Sequence, residues 1–107
     1  MDAKHIRKKM NGYKQQDLKN KIYSEPHFIT SELILEKLKA CDMKCLYCKQ
    51  DMFSTTKMQW TLDRINNLMG HNKDNVVISC LDCNLKRRNI SVEKFTFTKQ
   101  LKIIKMS

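Results

Sequence analysis

An α+β fold is expected for this 107-residue chain, and three observations predict it. Two Cys-x-x-Cys pairs of identical spacing, Cys45-Leu-Tyr-Cys48 and Cys80-Leu-Asp-Cys83, bracket the middle of the sequence. Two short runs with strand character, MQWTLDRI and NVVIS, lie between the pairs and are separated by the turn-rich NNLMGHNKDN. Helix-like runs stand on either side of this centre. A chain of this length holds one domain with one modest core, which excludes a second catalytic domain.

The elements follow in chain order. Residues 3–21 carry Ile6, Met10, Tyr13 and Asp17 or Leu18 near helical spacing, but the segment is crowded with Lys and broken by Asn11-Gly12. It reads as a basic N-terminal arm, partly helical, within residues 1–29, and removing 1–21 should leave the rest folded. SEPHFIT is a break, after which Thr30 or Ser31 caps a helix through SELILEKLKAC. Leu33, Ile34, Leu35 and Leu38 give that helix an apolar face to pack behind the first cysteine pair. The two strands then form a hairpin, and a helix from Cys80 to Asn89 starts at the second pair. The central domain spans 30–90, with knuckle, hairpin and helix in that order, a treble-clef-like layout; residues 91–107 are a basic C-terminal extension.

Charge narrows the partner. The formal charge is +10, with Lys and Arg spread along the chain rather than gathered in one block. Nucleic acid is the leading partner for such a surface, ahead of an anionic membrane, because no run approaches 18 apolar residues and the N-terminus lacks a signal-peptide core. An intracellular location follows as an expectation: cytoplasm or nucleus, or the host cell for a chain of viral or phage origin. Disulfides are then an improbable use of the five cysteines. A two-residue gap lets a tight turn aim both thiolates at one centre, so Cys45, Cys48, Cys80 and Cys83 are expected to hold one structural Zn²⁺. Zinc binding of about 10–16 kcal/mol would match or exceed the whole stability of a small domain, so folding should depend on metal. Cys41 is left over, read as a buried small hydrophobe at a helix end, with substitution for Cys45 as the alternative.

In sequence, CLYC, then WTLDRINN, then GHNKDNVVISCLDCNLKRRN resembles the zinc-containing HNH endonucleases of the ββα-metal, or His-Me finger, class. The layout is also similar to the phage endonuclease VII type, in which an aspartate and the asparagine directly after the last cysteine hold the catalytic ion. The likeness covers about Cys45 to Asn89 and implies a DNA endonuclease that hydrolyses phosphodiester bonds. It also implies a catalytic Mg²⁺ or Mn²⁺ on Asp63 and Asn84, hard oxygen donors suited to an ion that keeps several waters. Asn75 would tie the loop to the first strand. Lys86, Arg87 and Arg88 would contact phosphates, Lys as a point charge and Arg in a bidentate fork. A solvated helix face is the plainer account of each.

One position departs from the family pattern. Where the water-activating histidine usually follows the metal-binding aspartate, this chain has Arg64. An arginine side chain is neutral at pH 7 in only about one molecule in 10⁵–10⁶, a cost of roughly 7 kcal/mol, so Arg64 is no general base and serves at most as a phosphate contact in the site. His71 is the replacement expected for the base, since an ordinary imidazole is mostly neutral at pH 7. His5 and His27 lie outside the matched stretch. The competing readings are a non-catalytic zinc module that binds nucleic acid, and a structural zinc protein that meets a partner through the helix at 31–40. RNA as substrate and a homodimer both stay open on sequence alone.

Overall fold

The computed structural model describes residues 3–87 and 90–106. Six elements follow in order: α1 (Ala3–Lys19), α2 (Ser31–Ala40), β1 (Trp60–Arg64), β2 (Val76–Cys80), α3 (Leu81–Arg87) and α4 (Val92–Met106). This is a small α+β domain with one two-stranded antiparallel sheet among the described residues.

The helix α2 starts where the sequence places its cap. Thr30 is extended, and its hydroxyl accepts from Leu33 N at 3.2 Å, satisfying one of the free N–H groups of the first turn. Ile34 and Leu38 are its buried positions, one turn apart. Fully burying side chains of this size contributes about 1.5–3 kcal/mol each.

In the hairpin, Trp60 pairs with Cys80, Thr61 with Ser79, Leu62 with Ile78, Asp63 with Val77 and Arg64 with Val76. Alternation then divides β1 into two faces, with Thr61 and Asp63 on one and Trp60, Leu62 and Arg64 on the other. Both are covered, since the first four residues of β1 are all buried. The apolar face joins Ile6, Ile29, Ile34, Leu38, Met52 and Ile78 in the core. The polar face meets α3.

Two segments differ from their sequence reading. The N-terminal segment is not a detachable arm: α1 runs unbroken through Asn11-Gly12 and packs against the domain. Gly12 sits on an open face where an added Cβ would meet nothing within 4 Å, so it costs the helix about 1 kcal/mol relative to Ala without breaking it. Ile6 and Asp17 are buried, and the Tyr13 hydroxyl accepts from Leu62 N at 3.1 Å, closing the outer edge of β1. Even Lys9 is drawn in: it donates to Gln59 Oε1 at 2.9 Å and lies 4.6 Å from the Trp60 ring centre, and burial lowers its pKa to about 8. Removing residues 1–21 would therefore uncover the core. The C-terminal segment forms α4, whose Phe95 is buried edge-on to Tyr47 with ring centres 4.8 Å apart. Tertiary packing outweighs the weak local signal in both places.

Candidate functional site

The cysteine cluster is built by short local turns. Cys45 N donates to Gln50 O and Lys49 N to Cys45 O, folding residues 45–50 into a knuckle. Tyr47 N and Cys83 N each donate to the sulfur of the cysteine two or three residues before them, Cys45 and Cys80, at 3.4 Å. The four sulfurs lie within 4.8 Å of one another, with Cys48 and Cys80 4.0 Å apart. A tetrahedral ion at about 2.3 Å from each sulfur needs edges of about 3.8 Å, so the donor set and spacing fit a structural metal ion of zinc's kind. Electrostatics agree. A hydrogen bond from Cys83 draws the Cys45 thiol down to about 4, while burial pushes Cys80 up to about 11, and the bond to Cys45 with burial pushes Cys83 higher still. Protein alone favours a mixture of thiol and thiolate; a divalent cation supplies the charge that lets all four ionise. Cys41 stands apart as the C-cap of α2, its thiol donating to Leu38 O.

A second centre is a cleft of about 490 Å³ along the outer edge of β1, between α1 and α3. Tyr13, Thr61, Asp63, Arg64, His71 and Asn84 are among the residues that line it. The structure thus brings the expected base and both expected ion ligands to one cleft. It leaves them in different chemical states.

Asp63 is fully committed. Arg87 Nε lies 3.1 Å from both carboxylate oxygens and Nη2 lies 2.5 Å from Oδ1, while Tyr47 donates its hydroxyl to Oδ2 at 3.1 Å. Side-chain exposure is 1% for Asp63 and 4% for Arg87. Two further Arg87 donors go to Ile90 O, at 2.6 Å, and to Arg64 O. Burial opposes the Arg87 charge and Asp63 outweighs it, so the guanidinium pKa is raised; burial beside Asp63 holds the Tyr47 phenol protonated, with its pKa raised. Two expectations are corrected here. Arg87 is turned inward instead of toward a phosphate, because Nε, Nη1 and Nη2 each donate inside the protein. Asp63 does not offer open oxygens to Mg²⁺ or Mn²⁺, because a guanidinium already holds them and would repel a second cation. Asn84 donates Nδ2 to Thr61 Oγ1 at 3.0 Å and is half-buried.

Among the other expected contacts, Lys86 is exposed and paired with Asp82 at 3.0 Å, which raises its pKa. Arg64 turns Nη1 back to Asn67 O and Met69 O at 3.2 and 3.3 Å, bracing the loop while lining the cleft. Arg88 lies outside the described residues. Asn75 is buried and ties the loop internally: Oδ1 accepts from Asn66 N at 2.9 Å, and Nδ2 donates to Asn66 O and Gly70 O at 3.0 and 2.9 Å. His5 packs its ring on Trp60 and His27 bonds Ser24, both away from this cleft.

His71 is held at three points and covered by a ring. Its backbone N–H donates to Asp17 Oδ2 at 2.7 Å, its ring Nδ1 lies 2.7 Å from Asp17 Oδ1, and its carbonyl accepts from Ile29 N at 3.1 Å. The Tyr13 ring covers it at 4.5 Å between centres. Burial lowers its pKa below the ordinary histidine value, against the opposing pull of Asp17. Asp17 is a partner of His71 that the sequence reading did not foresee. Its signal was a carboxylate on the same stripe as Ile6, Met10 and Tyr13, where an amphipathic helix should bury apolar groups.

No protein-family model matches the chain, and no curated protein or solved structure does either. Among the described residues, no helix is long and apolar enough to cross a membrane.

Proposed function

We propose that the chain is a DNA endonuclease of the HNH type, a zinc-braced ββα domain in which His71 is the general base for phosphodiester hydrolysis. The observation that supports it is the placement of His71: a buried, neutral-favouring imidazole presented to a cleft that also holds Arg64 and Asn84. A base for attack of water on phosphate needs that protonation state at neutral pH and a fixed orientation. Arg64, on the cleft wall, supplies positive charge for the phosphate. The net charge of +10, or about +8 with four thiolates and one Zn²⁺, draws the polyanion in. In this reading Asp63 is a brace and not an ion ligand, because Arg87 holds it.

The same pair favours a second reading, a zinc-dependent module that binds nucleic acid without cutting it. Zinc-loaded protein incubated with supercoiled plasmid, with and without Mg²⁺ or Mn²⁺, separates the two. Nicking that His71→Ala lowers by about 10²–10⁴ supports the endonuclease. Binding whose affinity falls with salt at about −0.9 log units per phosphate neutralised, with no nicking on duplex, branched or single-stranded DNA, supports the module.

A further inference from the structure

We propose that Asp17 is the positioning residue of the His71 base, selecting the imidazole tautomer that keeps Nδ1 protonated and leaves the Nε2 lone pair for the cleft. This role rests on the endonuclease reading above. Its foundation is a two-point contact between residues 54 apart in sequence, Oδ2 to the backbone N–H of His71 and Oδ1 to ring Nδ1, both at 2.7 Å. The backbone N–H is a donor in every protonation state, so Oδ2 must accept from it. Oδ1 is likewise an acceptor, so the ring atom facing it carries the hydrogen. One carboxylate thereby fixes both the ring's position and its tautomer.

The surroundings are shaped to admit that carboxylate. A Cβ on Gly70 would lie 2.5 Å from Asp17 Oδ2 and 2.9 Å from Ile22 O, so glycine before His71 is required by the close approach of α1. Asn75 holds the Gly70 carbonyl at 2.9 Å from the other side. The other ionisable groups acting on the ring are Asp63 and Arg64 of β1, Asp63 raising and Arg64 lowering its proton affinity. A carboxylate kept 1% exposed on an otherwise apolar helix stripe is costly unless its hydrogen bonds are used, and both oxygens here are spent on His71.

Asp17→Asn tests the role without changing size. The His71 N–H still demands an acceptor, so the amide oxygen takes that position and the NH₂ group turns to Nδ1. Nδ1 must then accept, and the ring proton moves to Nε2, where it blocks base catalysis. Histidine-ring ¹⁵N NMR on zinc-loaded protein should show Nδ1–H in the wild type and Nε2–H in Asp17→Asn. Nicking of plasmid DNA should fall about 10²–10⁴, with zinc content and DNA affinity within twofold of the wild type. A wild-type His71 protonated on Nε2 overturns the proposal without any variant. So does an Asp17→Asn protein that nicks at the wild-type rate with the wild-type pH profile, and in that case the endonuclease reading stands. A wild type that nicks nothing overturns the endonuclease reading, and the positioning role with it.

Discussion

Asp63 and Asp17 are both 1% exposed, and both meet a nitrogenous side chain from a distant element, yet they do opposite things. Asp63 closes a circuit. It binds Arg87 of α3, which also grips the carbonyls of Arg64 and Ile90, so the polar face of the hairpin and the helix beside the cysteines become one unit. Asp17 leaves one open. It takes Nδ1 of His71, a residue that lines a cleft. A buried carboxylate matched by a guanidinium is a clamp; one matched by an imidazole at a cleft wall would, under the proposed function, orient a base.

The clamp side is expected to show the largest effects, beginning with the metal. Chelation, or Cys45→Ser, should abolish cooperative folding, because about 10–16 kcal/mol of metal binding is removed from a domain this small. Far-UV circular dichroism with zinc analysis reads it. A folded, zinc-free Cys45→Ser protein would show that the hairpin and α3 hold together without the centre.

Next comes the pair itself. Asp63→Ala should cost about 3–5 kcal/mol in urea unfolding, since it strands a buried guanidinium, while the double replacement Asp63→Ala with Arg87→Ala should cost less than the two singles added. Loss of divalent-dependent nicking at unchanged stability would make Asp63 an ion ligand instead of a clamp.

The two carboxylates also differ in how far sequence could reveal them. The knuckle, both strands and the α2 cap were legible because each is a local pattern: matched two-residue gaps, β-branched runs, and Thr before an apolar period. Arg87 was misread because a Lys-Arg-Arg run looks solvated. Only its place one turn after buried Cys83 points it inward. Asp17 and His71 meet across 54 residues through an angle between α1 and the hairpin loop that no local pattern encodes. The Gly12 interruption further hid the helix that carries Asp17.

A smaller effect should separate His71 from the clamp by pH. The folded pKa of His71 lies below its unfolded value near 6.5, so below that value the unfolded chain binds the extra proton. Stability from this group is therefore complete above about pH 6.5 and is lost as pH falls through it, by at most about 1.4 kcal/mol per pH unit. Urea midpoints at pH 7.5 and 5.5 should differ more for the wild type than for His71→Gln. Nicking should rise with pH along a limb placed below the ordinary histidine range. Equal acid sensitivity in the two proteins would mean that the ring is not held neutral by the fold.

The smallest effect is expected outside both regions. Cys41 is half-buried at the end of α2, and its thiol donates to Leu38 O at 3.4 Å without reaching the four-sulfur cluster. Cys41→Ser keeps a donor of similar shape at that cap, so stability should stay within about 0.5 kcal/mol and zinc content at one per chain. The comparison with Cys45→Ser makes this informative, because the two residues are four apart and only one belongs to a chelating turn. If Cys41→Ser loses zinc while Cys45→Ser keeps it, the knuckle is built from the wrong pair. The register linking Cys45 N to Gln50 O would then have to shift, carrying Tyr47 and its bond to Asp63 with it.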